Sequence, residues 1–480
     1  MRSNNLFYQK KELVKTFLLL VAGIFLCKVT LGFSYAIFVF LLLIFLVMRK
    51  TEGTMNILFF ATVSMGLGRY FIPFTVAMLV SQKLVLTIAA FFLVLKVFGR
   101  HQSRVITPLW SLVPYLVYIV IVSQVGWCPV ISNLKWLLFV MVFFALYGGA
   151  VNVMVDRSDV RKLRVMLLSL STFVLLGSIL SIPFPAISQM TTEEYLLNPD
   201  AVSLFRGVTC HSQSLGPYVA MFSTFLFGDL LFNLQKRDNL YLLLLLTGPF
   251  LIYKTSSRTA MASYAAGMLF VAYLAMRSRM VNRRLRSKIM FHTVVGISMA
   301  GLFVLAVPTI REKIVRFVVK NYSGDNTFES ANILSSRQNK LDLAIENWRR
   351  SPFIGNGFQV SEDMKYIQIR GIRDMLSAPV EKSTWIYAIL EEGGIFGMAL
   401  FLLFIIVSLG LLIKNHAYIG ASLLFEMLMI NMGEFGIFSP SSIGGAFWCM
   451  VFFALVFDYK RNQSQMVRPA YYRPVGMGMP

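Results

Sequence analysis

Three arginines stand at the edges of apolar runs, where a fixed positive charge has uses that a lipid-facing residue lacks. Arg258 separates two such runs within Ser256-Ser257-Arg258-Thr259-Ala260, with Lys254 one helical turn earlier; Arg206 opens a run after a loop, and Arg337 precedes a helical pattern. Arg stays charged and offers a planar fork that grips phosphate oxygens in two places. Each also has a plainer reading. Arg258 fits a residue snorkelling from a helix end, Arg206 an anchor at a span boundary, and Arg337 a first-turn helix residue, although that position favours acids.

The proton-handling candidates are fewer. Glu381, beside Lys382, suits a general base for a hydroxyl if it is buried; the alternative is a solvated acid paired with Lys382. His211 is a second candidate base, against the commoner role of a hydrogen-bonded structural histidine. Glu426 and Glu434 lie roughly two helical turns apart, within or near one apolar run. Carboxylates there are costly and so are functional candidates, and such a pair would suit proton-coupled transport. Glu391 and Glu392 suit a helix start, where acids complement the backbone dipole.

The elements that must position these groups are membrane helices. Hydrophobic residues make up 57% of the 480 and charged residues 14%, with a mean hydropathy of +0.67. Soluble domains carry about 25% charged residues, so the apolar excess faces lipid rather than one core. The formal charge of +22 invites a nucleic-acid partner, but its placement excludes one: Lys and Arg fall in short segments between apolar runs, as cytoplasmic loops require. Four cysteines are too few for a disulfide scaffold, although Cys128 and Cys210 are placed to bridge.

A spanning helix needs roughly 17–25 apolar residues. The runs are Leu13–Leu31, Phe33–Met48, two within Met55–Phe98, Pro108–Val125, Leu134–Val151, Leu163–Ile182, Ser212–Phe232, Leu240–Tyr253, Thr259–Met276, Ile289–Ile310, Thr384–Ile413, Ala417–Ile437 and Gly444–Phe457. The expected fold is an all-α integral membrane protein of about 14 transmembrane helices. Basic segments such as Arg157/Arg161/Lys162/Arg164 and Arg277–Lys288 fall on one side if both termini are cytoplasmic. That divides the chain into a membrane domain, 1–310, a large extracytoplasmic loop, 311–383, three last helices, 384–457, and a cytoplasmic tail, 458–480, whose composition reads as disordered. Within the loop, Leu341, Ala344, Ile345 and Trp348 recur at helical spacing, giving an amphipathic helix that lies against the membrane domain. Pro352 stops it and Gly355-Asn356-Gly357 turns the chain.

The stretch Ser256 to Ala260, the run Arg337…Ala344…Trp348…Pro352-Phe353-Ile354-Gly355-Asn356-Gly357, the segment Ser383-Thr384-Trp385-Ile386 with Glu392, Gly394 and Gly397, and the block Arg206-Gly207 with His211 to Gly216 together resemble the O-antigen ligase and polymerase superfamily. The resemblance covers residues 200 to 410 in scattered pieces. It implies a membrane glycosyltransferase of the C-type fold, acting without a metal or other cofactor on undecaprenyl-pyrophosphate-linked glycans at the outer face of a bacterial inner membrane. It also implies arginines that hold the pyrophosphate, here Arg258, Arg206 and Arg337 with Lys382, and a base that activates an acceptor hydroxyl, Glu381 or His211.

Ser383 stands where the ligase branch has a histidine, and Glu381-Lys382-Ser383 is similar to the Glu-x-Ser form of polymerase-like members. The leading expectation is therefore a polymerase of lipid-linked repeat units, whose partners are a lipid-linked donor, a glycan acceptor, the bilayer and, beside them, a chain-length regulator. Ligation to a lipid A-core or protein acceptor is the alternative. A flippase or transporter of lipid-linked sugars is the alternative of another class. It calls for repeated topology and gives no reason for a loop of about 70 residues carrying a helix.

Overall fold

The computed structural model describes residues 11–19, 21–22, 51–64, 66–67, 105–155, 160–189, 205–232, 239–278, 281, 284, 287–288, 291, 338–360, 384–433, 436–439 and 442–466. Among these the chain is helical, with isolated bridges Leu67 to Thr209 and Gln189 to Phe205 the only extended pairing. The helices are α1 (Thr51–Ser64), α2 (Val113–Val125, led by a 3-10 turn at Thr107–Leu112), α3 (Pro129–Val155), α4 (Val160–Leu180), α5 (Ser212–Phe232), α6 (Asn239–Thr255), α7 (Arg258–Arg277), α8 (Gln338–Arg350), α9 (Trp385–Lys414), α10 (Tyr418–Ile430) and α11 (Ser442–Met466).

Seven of the described helices are long and apolar enough to cross a membrane, and α6 and α10 are shorter apolar helices. Leu13–Leu31, Phe33–Met48, the pair within Met55–Phe98 and Ile289–Ile310 fall wholly or mainly outside the described residues, as does most of the loop. Two expected limits differ. The run from Ala417 helically ends at Ile430, where Asn431 Nδ2 donates back to Met427 O at 2.7 Å. The last helix passes Phe457 and continues to Met466, because Asp458 and Arg461 find partners inside the fold rather than in water. Cys128 and Cys210 remain separate thiols, the latter 3.7 Å from Ser214 Oγ.

The bundle closes around α5, which packs on α6, α7 and α10, and around α11, which packs on α1, α3 and α10. Aromatic rings fill the space between elements: Phe438 meets Tyr115, Phe139, Phe358 and Phe401 at 5.2–5.7 Å between centroids. Such pairs add about 0.5–1.5 kcal/mol each beyond burial.

The amphipathic helix expected within 311–383 is α8. Leu341 and Ala344 are buried and Ile345 and Trp348 half-buried, while Asp342, Glu346, Arg349 and Arg350 are exposed. It packs on α9, as the spacing predicts.

Helix α9 is not one straight rod. The rings of Trp385 and Phe401 lie 5.5 Å apart, whereas a straight helix would separate them by about 24 Å along its axis. The chain folds back at Gly394, whose φ of 61° and ψ of −163° are non-helical. A short half-helix, Trp385 to Gly393, thus leans on the first turns of the longer segment that begins at Ile395.

Candidate functional site

The break in α9 leaves backbone groups without helical partners, and the segment after α8 supplies them. Ile395 N donates to Pro352 O at 2.9 Å and Phe396 N to Phe353 O at 3.2 Å. On the other side, Asn356 N donates to the Glu391 and Glu392 carbonyls at 3.0 Å, and Gly357 N donates to Glu392 O at 3.0 Å. Residues 352–358 therefore act as a strap that completes the hydrogen bonding of a broken helix. Only glycine fits at two of its contacts: a Cβ on Gly355 (φ +82°) would collide with the Glu392 carbonyl, and one on Gly394 with that of Phe353.

Side chains lock the strap in place. Trp348 Nε1 donates to Pro352 O at 3.1 Å. Asn356 Nδ2 donates to Asn347 O at 3.0 Å and Glu391 O at 3.1 Å, and Asn347 Nδ2 donates to Glu391 Oε1 at 3.0 Å. From α3, buried Lys135 donates to Gln359 O at 3.2 Å and Ser132 to Phe358 O at 2.9 Å. The Trp…Pro…Gly-x-Gly spacing is thus the spacing of a clamp on α9. Glu391 and Glu392 lie at the break, near the end of the half-helix, and not at a helix start.

The half-helix begins at Thr384, whose Oγ1 accepts from Tyr387 N at 3.4 Å, and Trp385 N donates to Asn431 O at 3.0 Å. The turn after α10 brings Gly433 against Thr259, the second residue of α7. Helix α7 is capped by Ser257, whose Oγ accepts from Ala260 N at 3.3 Å, after Ser256 turns with φ +51°. Gly216, one turn into α5, lies against Thr255, Ser257 and Ala260. The starts of α5, α7 and the half-helix therefore gather at one end of the bundle. Backbone N–H groups at helix starts carry partial positive charge and favour anions.

Arg258 is the first residue of α7, half-buried at this convergence, with exposed Lys254 at the end of α6. The sequence motif is hence a helix cap followed by a cation where the dipole already disfavours cations. Arg206 is 1% exposed. Its backbone N donates to Ser188 O at 2.7 Å and its Nε to Ile187 O at 3.4 Å, so it also fastens the chain where it enters α5. His211 immediately precedes α5, and its Nδ1 accepts from Gln213 N at 3.1 Å. That bond uses one ring nitrogen and assigns the proton of the neutral ring to Nε2, making the ring a donor there.

Arg206, His211 and Arg258 thus sit around α5 and α7 at the same end. Arg337, Glu381, Lys382 and Ser383 lie outside the described residues, and so does Glu434. Glu426 is fully buried on α10, its Oε2 against Gly267 of α7 and beside Thr224 of α5. Gly267 is nine residues along α7 from Arg258, about 13 Å by helical rise. The sequence reading missed the break in α9, Asn347, the hold of the turn residue Asn356 on the break, and Lys135. The available signals were Glu391-Glu392-Gly393-Gly394 within an apolar run and a lysine at the head of another.

Fold and site together describe a helical membrane protein with a cationic convergence of helix starts and a clamped, broken helix. Residues 240–402 match the model of the family described as O-antigen ligase. The match runs from α6 past the break in α9 and supports the superfamily that the motifs resemble. No curated protein matches the chain.

Proposed function

We propose that the protein is a glycosyltransferase that polymerises undecaprenyl-pyrophosphate-linked oligosaccharide repeat units at the outer face of a bacterial inner membrane. The observation that carries this reading is the convergence of three helix starts with Arg258, beside Arg206 and His211. A pyrophosphate is a ligand such a place would hold, since backbone dipole and guanidinium act in the same sense.

In the proposed reaction an acceptor hydroxyl gives its proton to a base, and its oxygen bonds to the anomeric carbon of the donor sugar. The bond from that carbon to the pyrophosphate oxygen breaks, and undecaprenyl pyrophosphate leaves with the electron pair. Charge grows on the leaving oxygen, so fixed cations stabilise the transition state more than the ground state. We assign the base to Glu381. His211, its Nδ1 engaged, is assigned a donor role through Nε2. Arg337 and Lys382 complete the proposed anion contacts, and catalysis needs no metal or other cofactor. Both termini are placed in the cytoplasm, and the growing chain is expected to work beside a length regulator.

A second reading, ligation to a lipid A-core or protein acceptor, is favoured by the description of the matching family. Ser383 in place of the ligase histidine favours polymerisation. The test is reconstitution of purified protein with lipid-linked repeat units from its own host, and no other acceptor, with products resolved by size. A ladder of lengthening glycans is expected. Transfer only after a lipid A-core or protein acceptor is supplied would replace polymerase by ligase, and movement of lipid-linked sugar across the bilayer without transfer would replace both.

A further inference from the structure

Where the strap fills the break in α9, four large apolar side chains stand together and exposed: Phe353, Ile354, Ile395 and Phe396. Phe353 is 61% and Phe396 54% exposed, and their rings lie 6.3 Å apart. On one side the patch continues into the outward face of α9 at Leu402, Leu403 and Ile406, all exposed. On the other it adjoins α2, whose Val117, Ile121 and Val125 are exposed at four-residue spacing and so share one face. Turn and helices thus bring exposed apolar side chains together, and a contiguous exposed apolar surface marks contact with a membrane or partner.

Depth follows from α2. The Tyr118 hydroxyl lies 3.0 Å from Gly393 O and 3.2 Å from Ile354 O, within reach to donate its one proton to either, and so holds the turn. Val125, the last residue of α2, lies seven residues further along, about 10 Å by helical rise. Exposed Ile121 and Val125 are therefore nearer the helix end than the turn is. The carbonyls of the turn are served from within the protein. Pro352 and Phe353 carbonyls accept from Ile395 and Phe396, and the Tyr118 hydroxyl is within reach of the Ile354 and Gly393 carbonyls and donates to one of them at a time. In hydrocarbon an unsatisfied backbone group is costly, and non-helical backbone persists only when protein satisfies it.

We propose that the Phe353–Ile354 turn is embedded in the bilayer, its side chains against lipid acyl chains. The loop expected over 311–383 thus re-enters the membrane before α9 begins, and the strap is a membrane element rather than an aqueous one. The occupant is lipid because the turn stands beside two helices of this apolar bundle, α2 and α9, whose own outward faces are apolar and exposed.

The test places a nitroxide at Phe353→Cys and, separately, at Ile354→Cys, in full-length protein whose native cysteines are replaced by alanine. The protein is held in phosphatidylethanolamine–phosphatidylglycerol nanodiscs. Relaxation by molecular oxygen is compared with relaxation by a water-soluble nickel chelate. Ile121→Cys serves as the lipid reference and Glu346→Cys, on the outward face of α8, as the aqueous one. Both turn labels are expected to match Ile121, with oxygen accessibility severalfold above nickel accessibility. Nickel accessibility at the level of Glu346 at either turn position that folds would overturn the proposal.

Discussion

At the end of the bundle where α4, α6 and α10 begin, charged groups close on one another. Arg164 is paired with Asp229, Tyr241 donates to the same carboxylate at 2.9 Å, and Arg164 donates to Tyr241 at 3.0 Å. Asp458 pairs with Arg461 at 2.8 Å and accepts from Gly420 N in the first turn of α10, while Arg461 donates to His416 O in the turn after α9. Each acid has its cation, and each pair also ties two helices. At the other end, Arg258 and Arg206 stand at or before helix starts, where the backbone itself is positive. Balanced charge at one end is structural. At the other end the helix-start dipoles and the two guanidiniums act in the same sense, and this is the basis of the proposed anion site.

Perturbing each end separates stability from function. The largest effect is expected at the closed end: Asp229→Ala strands the Arg164 guanidinium and should cost about 3–5 kcal/mol. It should be read as a lowered unfolding temperature in nanodiscs, with donor affinity of the folded fraction retained. Arg258→Lys should reverse that pattern. An ammonium keeps the charge but not the two-pronged grip, so product formation should fall about 100-fold at an unchanged unfolding temperature.

Two variants at the break sharpen the comparison, because there a structural defect should reach the site. Gly394→Ala drives a Cβ into the Phe353 carbonyl at a φ of +61°, and should cost about 3 kcal/mol together with most of the activity. Asn347→Ala removes the donor to Glu391 and should cost about 1–2 kcal/mol with a partial loss of activity. Full activity in a folded Gly394→Ala protein would detach the strap from the site.

The spans from Pro108 to Ile182 and those at Ser212 and Thr259 were legible because each is an apolar run of membrane length ended by charge or by a short Pro- or Gly-containing turn. The α8 face was legible because Leu341, Ala344, Ile345 and Trp348 repeat at helical spacing. The break in α9 was not, since Glu391-Glu392-Gly393-Gly394 interrupts the run from Thr384 to Ile413 too briefly to divide it, and the fold-back is decided by the strap, distant in sequence. Asn347 was hidden for a related reason: an amide on a helix reads as solvated until a buried carboxylate is found opposite it. The pairing of Arg164 with Asp229 spans separate helices, and periodicity carries no such information. Of the site, Arg258 and its cap were readable as a motif, but the gathering of the α5 and half-helix starts around it is tertiary.

The most direct test of the anion site is the affinity of the full-length protein in nanodiscs for undecaprenyl pyrophosphate, measured for three forms. These are the unaltered protein, Arg258→Lys, and Lys162→Gln, which removes an exposed cation from the closed end. The account predicts at least tenfold weaker binding for Arg258→Lys and unchanged binding for Lys162→Gln. Equal affinities in all three, or equal losses in the two variants, would contradict it.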